Sequence, residues 1–189
     1  HNSILVNGMG QKIGTEGYGW IPRYYEGEEI SYVVGDASNA YGKVISPLWL
    51  EPGRLSGTRF TPEMGWDENK LDFFRRHIVQ LGRSGLFVVY DELVGKEPVE
   101  WNYLLHTVEL PMEVAEEKDG LRILGKNKAD GVSIAHLFSS QKMTYAQTDT
   151  FFVAAVDWKK RLGKTLPNHY HFTATTSPSN QVCFLNVID

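Results

Sequence analysis

Apolar residues in this chain fall into short runs separated by turn formers, and that rhythm is the strongest signal in the sequence. The runs are Ser3–Val6, Ile30–Val34, Leu86–Val94, Val99–Val108, Leu121–Leu124, Val132–Phe138, Phe151–Val156, Tyr170–Ala174 and Val182–Ile188. Their lengths suit strands, and Asn7-Gly8, Asp119-Gly120 and Asp130-Gly131 lie beside them as turn formers. Strands at such regular spacing predict an all-β chain, a large antiparallel β-sandwich. Phe73-Phe74, Val88-Val89 and Leu104-Leu105 put apolar side chains on both faces of a strand, as expected where both faces are covered. The stretch from Phe151 to Leu162 is compatible with a short helix instead.

Two stretches break the rhythm. Gly8 to Gly27 is glycine-rich and carries Tyr18, Trp20, Tyr24 and Tyr25; Pro47 to Trp66 is rich in glycine and proline. Both read as irregular loops, the places where binding usually resides on a rigid scaffold. Aromatic side chains there can stack on sugar rings.

Composition narrows the partner class. The net charge is −4, which argues against nucleic acid or an anionic membrane as the general partner. No apolar run approaches the roughly 20 residues that span a bilayer. The single cysteine, Cys183, has no internal disulfide partner, and its apolar neighbours predict a buried thiol.

Candidate chemistry is sparse. His169 and His171 alternate along a predicted strand and share a face, the spacing of a two-imidazole metal chelate; no carboxylate follows to complete a site, and two solvent-facing histidines are the simpler reading. His106 lies in an apolar strand and reads as a neutral core or interface histidine. Arg75 and Arg76 could present a guanidinium to a carboxylate or sulfate. Cross-strand ion pairs with Asp72, Asp91 or Glu92 are the plainer alternative. No GxSxG elbow, HExxH, CxxC or phosphate-binding loop is present.

Several segments, in order, resemble the heparinase II/III-like polysaccharide lyases. The opening "HNSILVNGMGQ" (His1 to Gln11) is similar to that family's HNT-hydrophobic-hydrophobic-V-D-G-x-G-Q signature, with Asn7 where the family usually has Asp. "VVGDASNAYG" (Val33 to Gly42) resembles its GDA-x-x-AY element, and "LDFFRRHIVQL" (Leu71 to Leu81) its strand with paired arginines. "LFVVYDEL" (Leu86 to Leu93) and "WNYLLHT" (Trp101 to Thr107) resemble two further strands. From His106 onward the likeness is one of strand pattern.

The resemblance implies a bacterial, periplasmic or secreted enzyme in which an α/α toroid precedes a large β-sandwich. Uronic-acid-containing glycans such as heparin or heparan sulfate bind in the cleft between the two. It implies β-elimination, in which the proton at C5 of a uronate is removed and the C4 oxygen expelled, with the developing charge stabilised by the enzyme. Residues 1–189 correspond to an N-terminally truncated sandwich, so the catalytic positions and the toroid are expected outside this chain. His1 is implied as a ligand of a structural zinc whose other ligands lie upstream. Trp20, Arg23 and Tyr24 are the expected contacts to an acidic polysaccharide. The competing expectation is a non-catalytic carbohydrate-binding or structural sandwich.

Overall fold

The computed structural model describes residues 2–11, 17–41, 70–82, 85–108, 110–150 and 169–189. These form twelve strands and no helix: β1 (Ile4–Val6), β2 (Trp20–Glu26), β3 (Ile30–Asp36), β4 (Leu71–Leu81), β5 (Leu86–Val99), β6 (Trp101–Val108), β7 (Glu113–Glu117), β8 (Gly120–Lys126), β9 (Val132–Ser139), β10 (Met143–Thr148), β11 (His169–Thr176) and β12 (Ser179–Ile188). One sheet has four strands in the order β1-β6-β11-β10, the other eight in the order β2-β3-β4-β5-β12-β9-β8-β7. All pairings are antiparallel. The expected all-β sandwich is therefore what the chain forms.

Alternation explains the packing. Along β4 and β5, Phe74, Asp91 and Leu93 face the smaller sheet and are buried, and β12 adds Val182 and Phe184 to that layer. The four-stranded sheet answers with Ile4, Val6, Trp101, Tyr103 and Phe172. Each such large side chain contributes about 1.5–3 kcal/mol by leaving water. The Trp101 indole N–H donates to the carbonyl and hydroxyl oxygens of Ser179, both at 3.1 Å, so its one polar group is satisfied within the core.

Three strands depart from expectation, and they share a cause. β2, β7 and β10 lack the apolar alternation of a strand, and each is an edge strand. An edge strand needs no buried face, so its sequence can be polar or mixed. β2 thus replaces part of the irregular loop expected between Gly8 and Gly27. The expected run Val99–Val108 breaks at Glu100, where β5 ends and β6 begins. Cys183 is also a correction: it is half-buried on the outer face of the large sheet, because the inward positions of β12 are Val182 and Phe184. The expected run at Phe151–Val156, its helical alternative, the whole loop from Pro47 to Trp66, and His1 lie outside the described residues.

Candidate functional site

The segments that resemble lyase motifs meet in one hydrogen-bonded network around β1. Asn7 and Gly8 take φ of 49° and 74°, the left-handed pair a tight hairpin turn requires, which explains why Asn serves where Asp is usual. Asn7 Oδ1 accepts from the Glu100 backbone N–H at 2.7 Å, and Asn102 Oδ1 accepts from Gly8 N–H at 3.0 Å. Tyr41 is fully buried and donates to the Ile4 carbonyl at 2.6 Å, tying the "GDASNAY" segment to β1. Burial pushes the Tyr41 phenol up to about 12.

The two arginines divide their work by the pleat. Arg76 points inward and grips the fully buried Asp91 with two parallel bonds, Nε to Oδ1 and Nη2 to Oδ2, both 2.7 Å. Its Nη1 donates to the Asn2 carbonyl at 2.8 Å. Arg75 points outward, with its guanidinium 4.8 Å from the Phe73 ring centroid and its Nε donating to Asp36 at 3.0 Å. Burial pushes the Asp36 carboxyl upward. The Ser38 hydroxyl and backbone N–H, together with Arg75, more than offset this and hold it below the usual carboxylate range. Ion pairing is therefore the role of both arginines, with Asp91 and Asp36 as the partners.

β2 is the opposite kind of surface. All seven of its residues are exposed, and Tyr18, Trp20, Ile21, Tyr24 and Tyr25 each expose 45–67 % of their area. Such a run of large exposed side chains on one edge is unusual for a chain that only needs to stay in solution. Tyr18 braces Trp20 at 5.9 Å between ring centroids. Tyr24 donates to Glu26, which raises its phenol above the ordinary range. Trp20, Arg23 and Tyr24 lie on this one strand, yet they do not converge. Arg23 pairs with Val34 and Tyr24 with Val33, so they project from opposite faces.

Trp20 borders a depression of about 270 Å³ on the inner side of the large sheet. Trp20, Ile21 and Phe74 form its apolar wall, Gly35 belongs to its floor, and Ser3, Asp36 and Arg76 supply polar groups. In the sequence, Gly35 carries only the general sign of a glycine inside a strand pattern.

The histidines form a third group. His171 pairs across strands with His106, their rings 4.6 Å apart edge to face, and His169 lies two residues along β11 on the same face. His169 is exposed, whereas His171 is half-buried against His106, so solvent exposure holds for one of the pair. Burial is the largest of the effects that push His106 down to about 4, which keeps it neutral as expected. Its Nδ1 lies 3.1 Å from Asn2 Oδ1. Among the described residues no three His, Cys, Asp or Glu side chains approach closely enough to hold a metal ion. Nor is any helix among them long and apolar enough to cross a membrane.

No protein-family model matches the chain, and no curated protein matches it in sequence. Solved structures do match in fold. A heparinase III crystal structure aligns over 100% of this chain with a TM-score of 0.63 at 16% identity. A second heparinase III gene product gives 0.61 at 14%, and the heparan sulfate lyase HepC from Pedobacter heparinus 0.61 at 9%. In each case the chain spans 23% of the solved chain's length. At these identities the likeness is one of fold: from end to end, this chain has the architecture of the β-sandwich carried by these larger lyases.

Proposed function

We propose that this chain is the β-sandwich part of a polysaccharide lyase that cleaves uronic-acid-containing glycans, heparin or heparan sulfate among them, by β-elimination. The observation that carries the reading is the end-to-end likeness in fold to lyase sandwiches. The exposed aromatic edge β2 supports it. In this reading β2 contributes contacts to an acidic polysaccharide through Trp20, Arg23 and Tyr24. Trp20 and Tyr24 offer flat faces to sugar rings, and Arg23 offers a planar cation to carboxylate or sulfate.

Removing the C5 proton needs a base and donors aimed at the developing charge. Arg76 and Asp91 are paired with each other, and His106 is turned to Asn2. In this reading catalysis belongs to a helical toroid domain of a longer, periplasmic or secreted protein, with the sandwich as its substrate-holding partner.

The test is the ultraviolet absorbance of the unsaturated uronate formed from heparan sulfate. The 189-residue chain alone should produce none, while the longer gene product should turn over. Sustained turnover by the chain alone would refute this division of labour. If the longer product binds heparin and heparan sulfate without cleaving them, the chain is a carbohydrate-binding module instead.

A further inference from the structure

Gly35 is the one gap in an otherwise filled row across the large sheet. Its cross-strand neighbour on β4 is Arg76, whose own neighbour on β5 is Asp91, followed by Phe184 on β12. On the other side the register of β2 shifts between Trp20 and Arg23, so no β2 residue is paired with Gly35. A bulge and a glycine side by side leave bare backbone where a strand would normally carry a side chain. A β-carbon at Gly35 would meet no atom within 4 Å, and its φ lies outside the left-handed region. Neither conformation nor crowding requires glycine there, and the space above it is part of the depression.

The groups around that space are specific. Trp20 is 45% exposed and is held from one side by Tyr18. Arg76 spends three of its five N–H hydrogens on Asp91 and the Asn2 carbonyl, which leaves two with no protein partner among the described residues. The guanidinium is a donor-only group that cannot lose its charge at neutral pH, so it favours an anionic acceptor. Asp36, also at the depression, is turned to Ser38 and Arg75, which offset its charge.

We propose that this depression is a subsite for one uronate ring of an acidic polysaccharide. The ring lies over the bare backbone of Gly35 with a face towards Trp20, and its carboxylate accepts from the two remaining N–H groups of Arg76. This rests on the reading of the chain as a glycan-holding sandwich and adds to it a second, inward-facing contact fixed by the fold. Arg76 here is both an ion-pair member and a ligand contact, so the informative substitutions are made around it.

Isothermal titration of the 189-residue chain with a heparan sulfate hexasaccharide, and with neutral cellohexaose, decides the matter. Gly35→Val fills the space with a side chain suited to a strand. It should lower affinity for the acidic hexasaccharide at least about tenfold, the worth of one charge-assisted hydrogen bond, while the thermal midpoint stays near that of the wild type. Trp20→Ala, at an exposed edge position, should give a loss in the same direction and serves if Gly35→Val does not fold. Unchanged affinity in a folded Gly35→Val or Trp20→Ala protein overturns the subsite while leaving the glycan-binding reading in place. Cellohexaose bound as tightly as the acidic sugar overturns the uronate assignment. A wild type that binds no acidic hexasaccharide overturns both readings.

Discussion

The Arg76–Asp91 network and the β2 edge lie a few strands apart and use the same residue types to opposite ends. In the network the polar side chains are tied to partners within the protein: Arg76 to Asp91 and the Asn2 carbonyl, Tyr41 to Ile4, Asn7 and Asn102 to the turn backbone. On β2 the arginine and the aromatics are exposed to solvent, on both faces of the strand. The contrast teaches that residues resembling a family's motifs need not be its reactive ones. Most of the motif-like residues here hold β1, the turn after it and β4 in register, and the surface that can meet a ligand is the stretch with the least regular pattern.

The contrast breaks most visibly at Asp91. Asp91→Ala strands a buried guanidinium, a change that typically costs about 3–5 kcal/mol, or roughly 6–20 °C in melting temperature for a chain of this length. Thermal or urea unfolding measures it; a loss below about 1 kcal/mol would mean that Arg76 finds water easily.

His106 gives a smaller, pH-dependent effect. Its imidazole ordinarily titrates at 6.5 and is pushed down to about 4 in the fold, so between those values the unfolded chain binds more protons. Stability from this group is complete above pH 6.5 and is lost as the pH falls towards 4. His106→Gln should flatten that part of the stability profile. An unchanged slope would assign it to other groups.

The smallest stability effects belong to β2. Arg23→Ala and Tyr24→Ala should each change unfolding free energy by no more than about 0.5 kcal/mol, as exposed substitutions do. Both should nevertheless weaken binding of heparan sulfate oligosaccharides, Arg23→Ala with a reduced salt dependence. A sharp drop in melting temperature with unaltered affinity would place these residues in the fold rather than in a binding surface. At the far end of the scale, elemental analysis of the 189-residue chain should find no stoichiometric zinc, since His1 offers one ligand where structural sites use four. Tightly bound zinc lost in His1→Ala would show that this chain completes a site by itself.

Legibility in the sequence followed burial. Strands with a face in the core, such as β4, β5 and β12, announce themselves by alternation or by doubled apolar pairs, and the sandwich follows from them. The edge strands β2, β7 and β10 escaped because nothing buries them. The pairing of Arg76 with Asp91 was foreseeable from charge and strand spacing, but the pairing of Arg75 with Asp36 was not, since it depends on β3 lying next to β4. Trp20, Arg23 and Tyr24 were legible as exposed candidates. Their division between two faces, and the depression over Gly35, required the register and the bulge. A glycine's missing side chain becomes a site only when its neighbours are known.

In the proposed reading the glycan meets β2 and the depression beside it, where Arg76 is the one residue of the motif-like network within reach. Backbone amide chemical shifts of the 189-residue chain, followed during titration with a heparan sulfate hexasaccharide, test it directly. The account predicts that the largest changes cluster at residues 18–26 and at Gly35, with β7, β8 and the β10 edge unmoved. Changes concentrated on the histidine face of β11 or at the β7–β8 hairpin, with residues 18–26 silent, would contradict it.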